Sequence, residues 1–129
     1  MWFFSSLATL LLFNQTPSGK YLGSKSLFGE TIQANVNFKD TSNLDISISG
    51  DFVLNCADES YSVTNNQIVL DDIDIVGDCA HDALVDNNIV IQSIAYDSSR
   101  NDITLTVVYS VLHLDIVLKH ENAHVDPIY

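Results

Sequence analysis

Five residues near the end of the chain, His120-Glu121-Asn122-Ala123-His124, spell the pattern H-E-x-x-H. On a helix this spacing puts two imidazoles on one face to hold zinc. The glutamate then sits beside the metal-bound water as general base of a hydrolase. The surroundings do not supply the rest. Residues before His120 alternate as a strand does, and Asp126-Pro127 cuts short any helix behind it. Five residues follow His124, which leaves little chain for the third protein ligand of a catalytic zinc. Residues 121–129 are expected to form a flexible tail. No catalytic residue and no metal is assigned, and a metal-dependent hydrolase ranks last among the readings.

Asp71, Asp72, Asp74, Asp78, Asp82 and Asp86 are the densest run of carboxylates, the oxygen donors that calcium takes. An EF-hand loop fits at Asp72, Asp74 and Gly77. It fails at Val76 and Ala83, where a ligand and the bidentate glutamate belong. The run reads as a solvated acidic face, with Asp72 and Asp74 on the wet side of a strand. Nucleophilic catalysis has no support. There is no G-x-S-x-G element, and His81 and His113 have no serine or cysteine partner in sequence.

Cys56 and Cys79 are the only cysteines. Each lies at the end of a strand-like run, and a disulfide between them is expected. It closes a loop of about 24 residues and stabilises by roughly 3–4 kcal/mol. Such bonds persist in oxidising compartments. The N-terminus agrees with export. Residues 2–13 are uncharged and mostly apolar, then Pro17-Ser18-Gly19 follows. That run is too short to span a bilayer and has the form of a signal peptide, assigned to residues 1–18. The mature protein is then expected outside the cell, with no integral membrane span. The sequon Asn14-Gln15-Thr16 falls in or beside the leader.

The elements that position these residues are strands. Ile32, Ala34, Val36 and Phe38 alternate with polar residues, as do Leu44, Ile46 and Ile48. Further strands are expected at 52–56, 61–63 and 68–70, the last continuing through Ile73 and Ile75 to Gly77. Asn65-Asn66 suits the positive φ values of a tight hairpin. Val90 to Tyr96 and Ile103 to Tyr109 follow. The apolar phase then moves from odd to even positions at Leu112, so a turn or bulge is expected at Ser110-Val111. One short helix is expected near 79–87, capped by Asp78 and stopped at Asn87-Asn88. The fold class is therefore mostly β. About eight antiparallel strands form one domain, residues 19–120, as a small barrel or two-sheet sandwich.

Gly19-Lys20-Tyr21, standing before a succession of antiparallel strands, resembles the start of a calycin, the group of lipocalins and fatty-acid-binding proteins. Those open on a Gly-x-Trp element; here Tyr21 takes the aromatic place, and Lys119 is the basic residue near the last strand. The resemblance implies a closed barrel with an apolar lumen for small lipophilic ligands. It transfers no binding residues.

Acidic residues number 17 against 5 basic ones, for a net charge of −12. That charge makes nucleic acids and anionic lipid surfaces poor partners and favours divalent cations or basic proteins; no nucleic acid partner is expected. Apolar residues make up 47%, which excludes disorder. The expectation is a secreted, non-enzymatic binding protein without a cofactor. A small apolar ligand would lie against Phe38, Phe52, Tyr61, Tyr96 and Tyr109, which otherwise serve as core packing. The alternative is a secreted structural or interaction module that meets a protein partner through its acidic surface.

Overall fold

In the strand Glu30–Phe38 the alternation read from sequence becomes an inside and an outside. Ile32, Ala34, Val36 and Phe38 are buried, and the residues between them face outward. The computed structural model describes residues 16–27 and 29–122. Its strands are β1 (Gly19–Leu27), β2 (Glu30–Phe38), β3 (Asn43–Ser49), β4 (Leu54–Thr64), β5 (Gln67–Leu70), β6 (Ile89–Asp97), β7 (Asp102–Tyr109) and β8 (Leu112–His120). One helix, α1 (Cys79–Asn87), lies between β5 and β6.

Each strand runs antiparallel to the next, and β1 pairs with β8, so the sheet is a closed eight-stranded barrel. Closure joins Tyr21 to His120 and Leu22 to Lys119. The two strands approach so closely at Gly23 that a Cβ there would meet the Val117 carbonyl oxygen at 2.1 Å. The core fills the interior with side chains such as Val36, Leu44, Leu105, Val107, Ile116 and Leu118, all essentially inaccessible. Each such side chain removed from water contributes about 1.5–3 kcal/mol. Among the described residues, no helix is long and apolar enough to cross a membrane.

Eight strands were expected and eight are present among the described residues, but not the same eight. β1 begins at Gly19, where no strand was read. Tyr21 is its one buried side chain, so polar residues 23–26 hide the alternation. The expected strands 52–56 and 61–63 are instead parts of β4. An extra residue bulges from β4 opposite Asp45, and Asp58 sits there at φ 58°. The bulge moves the inward phase from Leu54 and Cys56 to Glu59 and Tyr61. The backbone N–H of Asp58 donates to Asp45 at 2.9 Å, and Lys39 pairs with both carboxylates.

Residues 71–77 correct another expectation. Ile73 and Ile75 do not extend a strand, and Asp72 and Asp74 share no strand face. Backbone bonds from Ile73 to Leu70, Ile75 to Asp72 and Asp78 to Ile75 coil the chain off the barrel wall. This detour brings Cys79 back to Cys56. The helix starts at the expected cap: Asp78 accepts from the His81 N–H at 3.2 Å, with Asp82 in the first turn. Asn88 ends it in the left-handed region at φ 56°. Its inner face, Ala80 and Leu84, is buried. The Asn65-Asn66 turn has both φ values positive, and Ser110-Val111 is the β7–β8 turn.

Of the expected leader, residues 1–15 lie outside the described residues. Pro17 is buried, and the Ser18 carbonyl oxygen accepts from His120 Nε2 at 3.1 Å. Residues 123–129 of the expected tail also lie outside the described residues.

Candidate functional site

The barrel wall is most sparsely paired between β5 and β6, with one residue pair against two at the β1–β8 seam. β5 keeps four residue pairs with β4, but only Gln67↔Ala95 joins it to β6. Beyond that pair the strands part, because the chain between them leaves the wall for residues 71–77 and α1. β6 also carries a bulge between Ile91 and Ser93 in its pairing with β7. A cavity of about 180 Å³ occupies it, lined by Ile68, Leu70, Ile73, Ile91 and Ile94, with Gln67 and Gln92 at hand. A second cleft of about 260 Å³ lies under α1, shares Ile73 and Ile91, and adds Leu84, Ile89 and Val90. His81 Nδ1 holds the Ile73 carbonyl oxygen at 2.8 Å and so ties α1 to the rim.

The five aromatic residues singled out as ligand contacts fall elsewhere. Phe38, Phe52, Tyr61 and Tyr96 are buried in the core and Tyr109 is half-buried. They form two groups. Phe38 meets Tyr21 and Tyr61 edge-on at 5.6 and 5.3 Å, and Tyr96 meets Tyr21 at 6.4 Å. Phe52 packs on Tyr109 at 4.9 Å. The Tyr21 and Tyr96 hydroxyls both donate to Asn101 Oδ1, at 2.5 and 3.1 Å. Burial, then the neighbouring Tyr96, holds the Tyr21 phenol well above its ordinary range.

Cys56 and Cys79 are bonded, with Cα atoms 5.7 Å apart. Cys56 points into the core, while Cys79 is exposed at the first position of α1. Beside them lies Glu59, which sequence reasoning missed. It is 4% exposed, and its Oε1 has no hydrogen-bond partner. A Glu59 carboxylate oxygen and both sulfurs lie within 4.8 Å of one another. Burial pushes this carboxyl up to about 7, with help from Asp78 as a charge and hydrogen-bond partner; a backbone hydrogen bond from Ala80 opposes the shift. The signal was available. Counting back in twos from inward Tyr61 reaches Glu59.

His120 is committed to structure. It ends β8, packs edge-on against Tyr21 at 5.0 Å, donates from Nε2 to Ser18, and accepts the Asn122 N–H on Nδ1 at 3.2 Å. His124 lies outside the described residues. The acidic run is dispersed: Asp71 accepts from Ser60 and Ser62, Asp78 caps α1, and Asp82 accepts from the Gly77 N–H. No family model, curated protein or solved structure matches this chain.

Proposed function

We propose that this is an exported binding protein that takes a small apolar ligand through the β5–β6 opening. The observation that carries the reading is the single residue pair across that seam, with an isoleucine- and leucine-lined cavity behind it. Ligand sites are concave and apolar, with a few polar groups to orient the guest; Gln67, Gln92 and Ser93 are such groups. A volume of about 180 Å³ suits a guest the size of an aromatic ring or a short hydrocarbon chain, since a cavity of about 150 Å³ takes benzene. The interior aromatics serve the core, so the ligand sits at the wall and not along the barrel axis. The disulfide supports an oxidising destination. Kinship with calycins is supported by the closed barrel and by Tyr21 near the start of β1 packing on His120 of the last strand. A protein partner is the second reading, favoured by exposed Val85 and Val90 at the cleft under α1.

Toluene titrated into the isotopically labelled protein tests the proposal. Saturable shifts of the Ile68, Leu70, Ile91 and Ile94 amides are expected, and Ile91→Trp, which fills the gap, should abolish them. Absence of saturation, or shifts unchanged in the variant, refutes the site.

A further inference from the structure

We infer that the Cys56–Cys79 disulfide is a thiol–disulfide exchange centre, with Cys79 the sulfur attacked and Glu59 the proton donor to Cys56. Three independent placements meet here. Cys79 is exposed and opens a nine-residue helix, where a thiolate is stabilised by the helix N-terminus. Cys56 is 2% exposed and cannot be reached from solvent. Glu59 is a buried carboxyl with an unpartnered oxygen, set against both sulfurs. A bond kept only to staple the fold requires none of this asymmetry, and burying a carboxyl with one oxygen unpartnered beside it is costly.

The exchange balances as follows. An external thiolate attacks Cys79 Sγ, and the S–S bond breaks. The electron pair leaves on Cys56 Sγ, which takes the proton of the Glu59 carboxyl. The products are a mixed disulfide at Cys79, a Cys56 thiol and a Glu59 carboxylate. A second thiolate of the same reductant attacks the reductant's sulfur, releasing its disulfide and leaving Cys79 as thiolate. A proton from solvent restores Glu59. In sum two external thiols are oxidised and the protein disulfide is reduced; the reverse oxidises the protein at the expense of a disulfide substrate. Asp78 and Asp72 face Glu59 from the helix cap and the loop after β5. Their negative charge disfavours anionic thiols, so the substrate class is a neutral or cationic thiol, such as a cysteine in a basic peptide.

The test follows reduction of the full chain by dithiothreitol from pH 5 to 9, with iodoacetamide trapping and mass spectrometry. Rates are divided by reductant thiolate concentration. The wild type should fall at least about tenfold as pH rises past 7 and Glu59 loses its proton. Glu59→Gln should be slower at low pH and show no such inflection. Cysteamine should outrun mercaptopropionate after correction for thiol basicity, and Cys56→Ser, whose Cys79 is a free thiol, should hold a mixed disulfide on Cys79 when given cystamine as the disulfide substrate, with one cysteamine released per bond formed. A flat wild-type profile overturns the inference without recourse to any variant. So does an unchanged inflection in Glu59→Gln, or faster reaction with the anionic thiol. None of these outcomes bears on toluene binding, so the two proposals stand or fall separately.

Discussion

Replacing Glu59 by Gln should make the protein more stable at pH 8 and leave it nearly unchanged at pH 4.5. The unfolded carboxyl titrates near its ordinary 4.5 and the buried one near 7. Below 4.5 it is neutral in both states, and its contribution is fully present. Between the two values folding takes up a proton, so stability falls as pH rises through 7. The gap between 4.5 and about 7 corresponds to roughly 3–4 kcal/mol. Relaxation around the charge and water entry reduce this to about 2 kcal/mol, worth roughly 8–16 °C in melting temperature for a domain near 100 residues. The acid limb has another origin. Asp40, Asp45 and Asp97 are held below their usual 3.8, first by hydrogen bonds from the Ser42 N–H, the Asp58 N–H and the Ser99 hydroxyl respectively. Their contributions are present above that value and fade as pH falls through the lowered ones. Wild-type stability should therefore peak near pH 4–5, and the variant should keep a plateau to pH 8. Melting curves by circular dichroism across pH 3–9 give the comparison. Parallel curves for the two proteins would refute a buried, ionising Glu59.

Two further outcomes follow from the core and its staple. Cys56→Ala with Cys79→Ala should lower urea-derived stability by about 3 kcal/mol, the chain-entropy value for this loop, with barrel circular dichroism retained at low denaturant. Asn101→Gly keeps the left-handed φ of 53° but removes the shared acceptor of Tyr21 and Tyr96. Loss of about 2 kcal/mol is expected in urea titration, against no more than a few tenths for Ser99→Ala on the same turn.

What the chain revealed in advance was local. The alternation in β2, β3, β7 and β8 is a period-2 signal that survives folding because one face of each strand is buried. The α1 caps, the Asn65-Asn66 turn and the cysteine pair rest on residue types whose preferences act over a few positions. What escaped was set by pairing across distance. β1 is held by nine pairs to β2, although residues 23–26 have no alternation of their own. The bulge at Asp58 made one strand look like two, and it left Glu59 between the two expected strands with no face assigned. The β5–β6 opening depends on where β6 meets β5 after an intervening helix, which no composition or spacing within either strand encodes. The aromatic residues were conspicuous by type, and four of the five are buried in the core, while the cavity is walled by ordinary aliphatic side chains.

Closure through β1 and β8 also dictates the order in which the protein can be made. The pairs Tyr21↔His120 and Leu22↔Lys119 join positions about a hundred residues apart, so the chain must be synthesised to His120 before the cylinder can shut. Hairpins such as β2–β3 and β7–β8 can form early at low loop-closure cost. Until the last strand arrives, however, β1 presents an unpaired edge to its surroundings, the condition in which nascent sheets stick to one another. In a β1–β8 barrel, the wait for its final strand is when the growing polypeptide most depends on protection by its handling machinery.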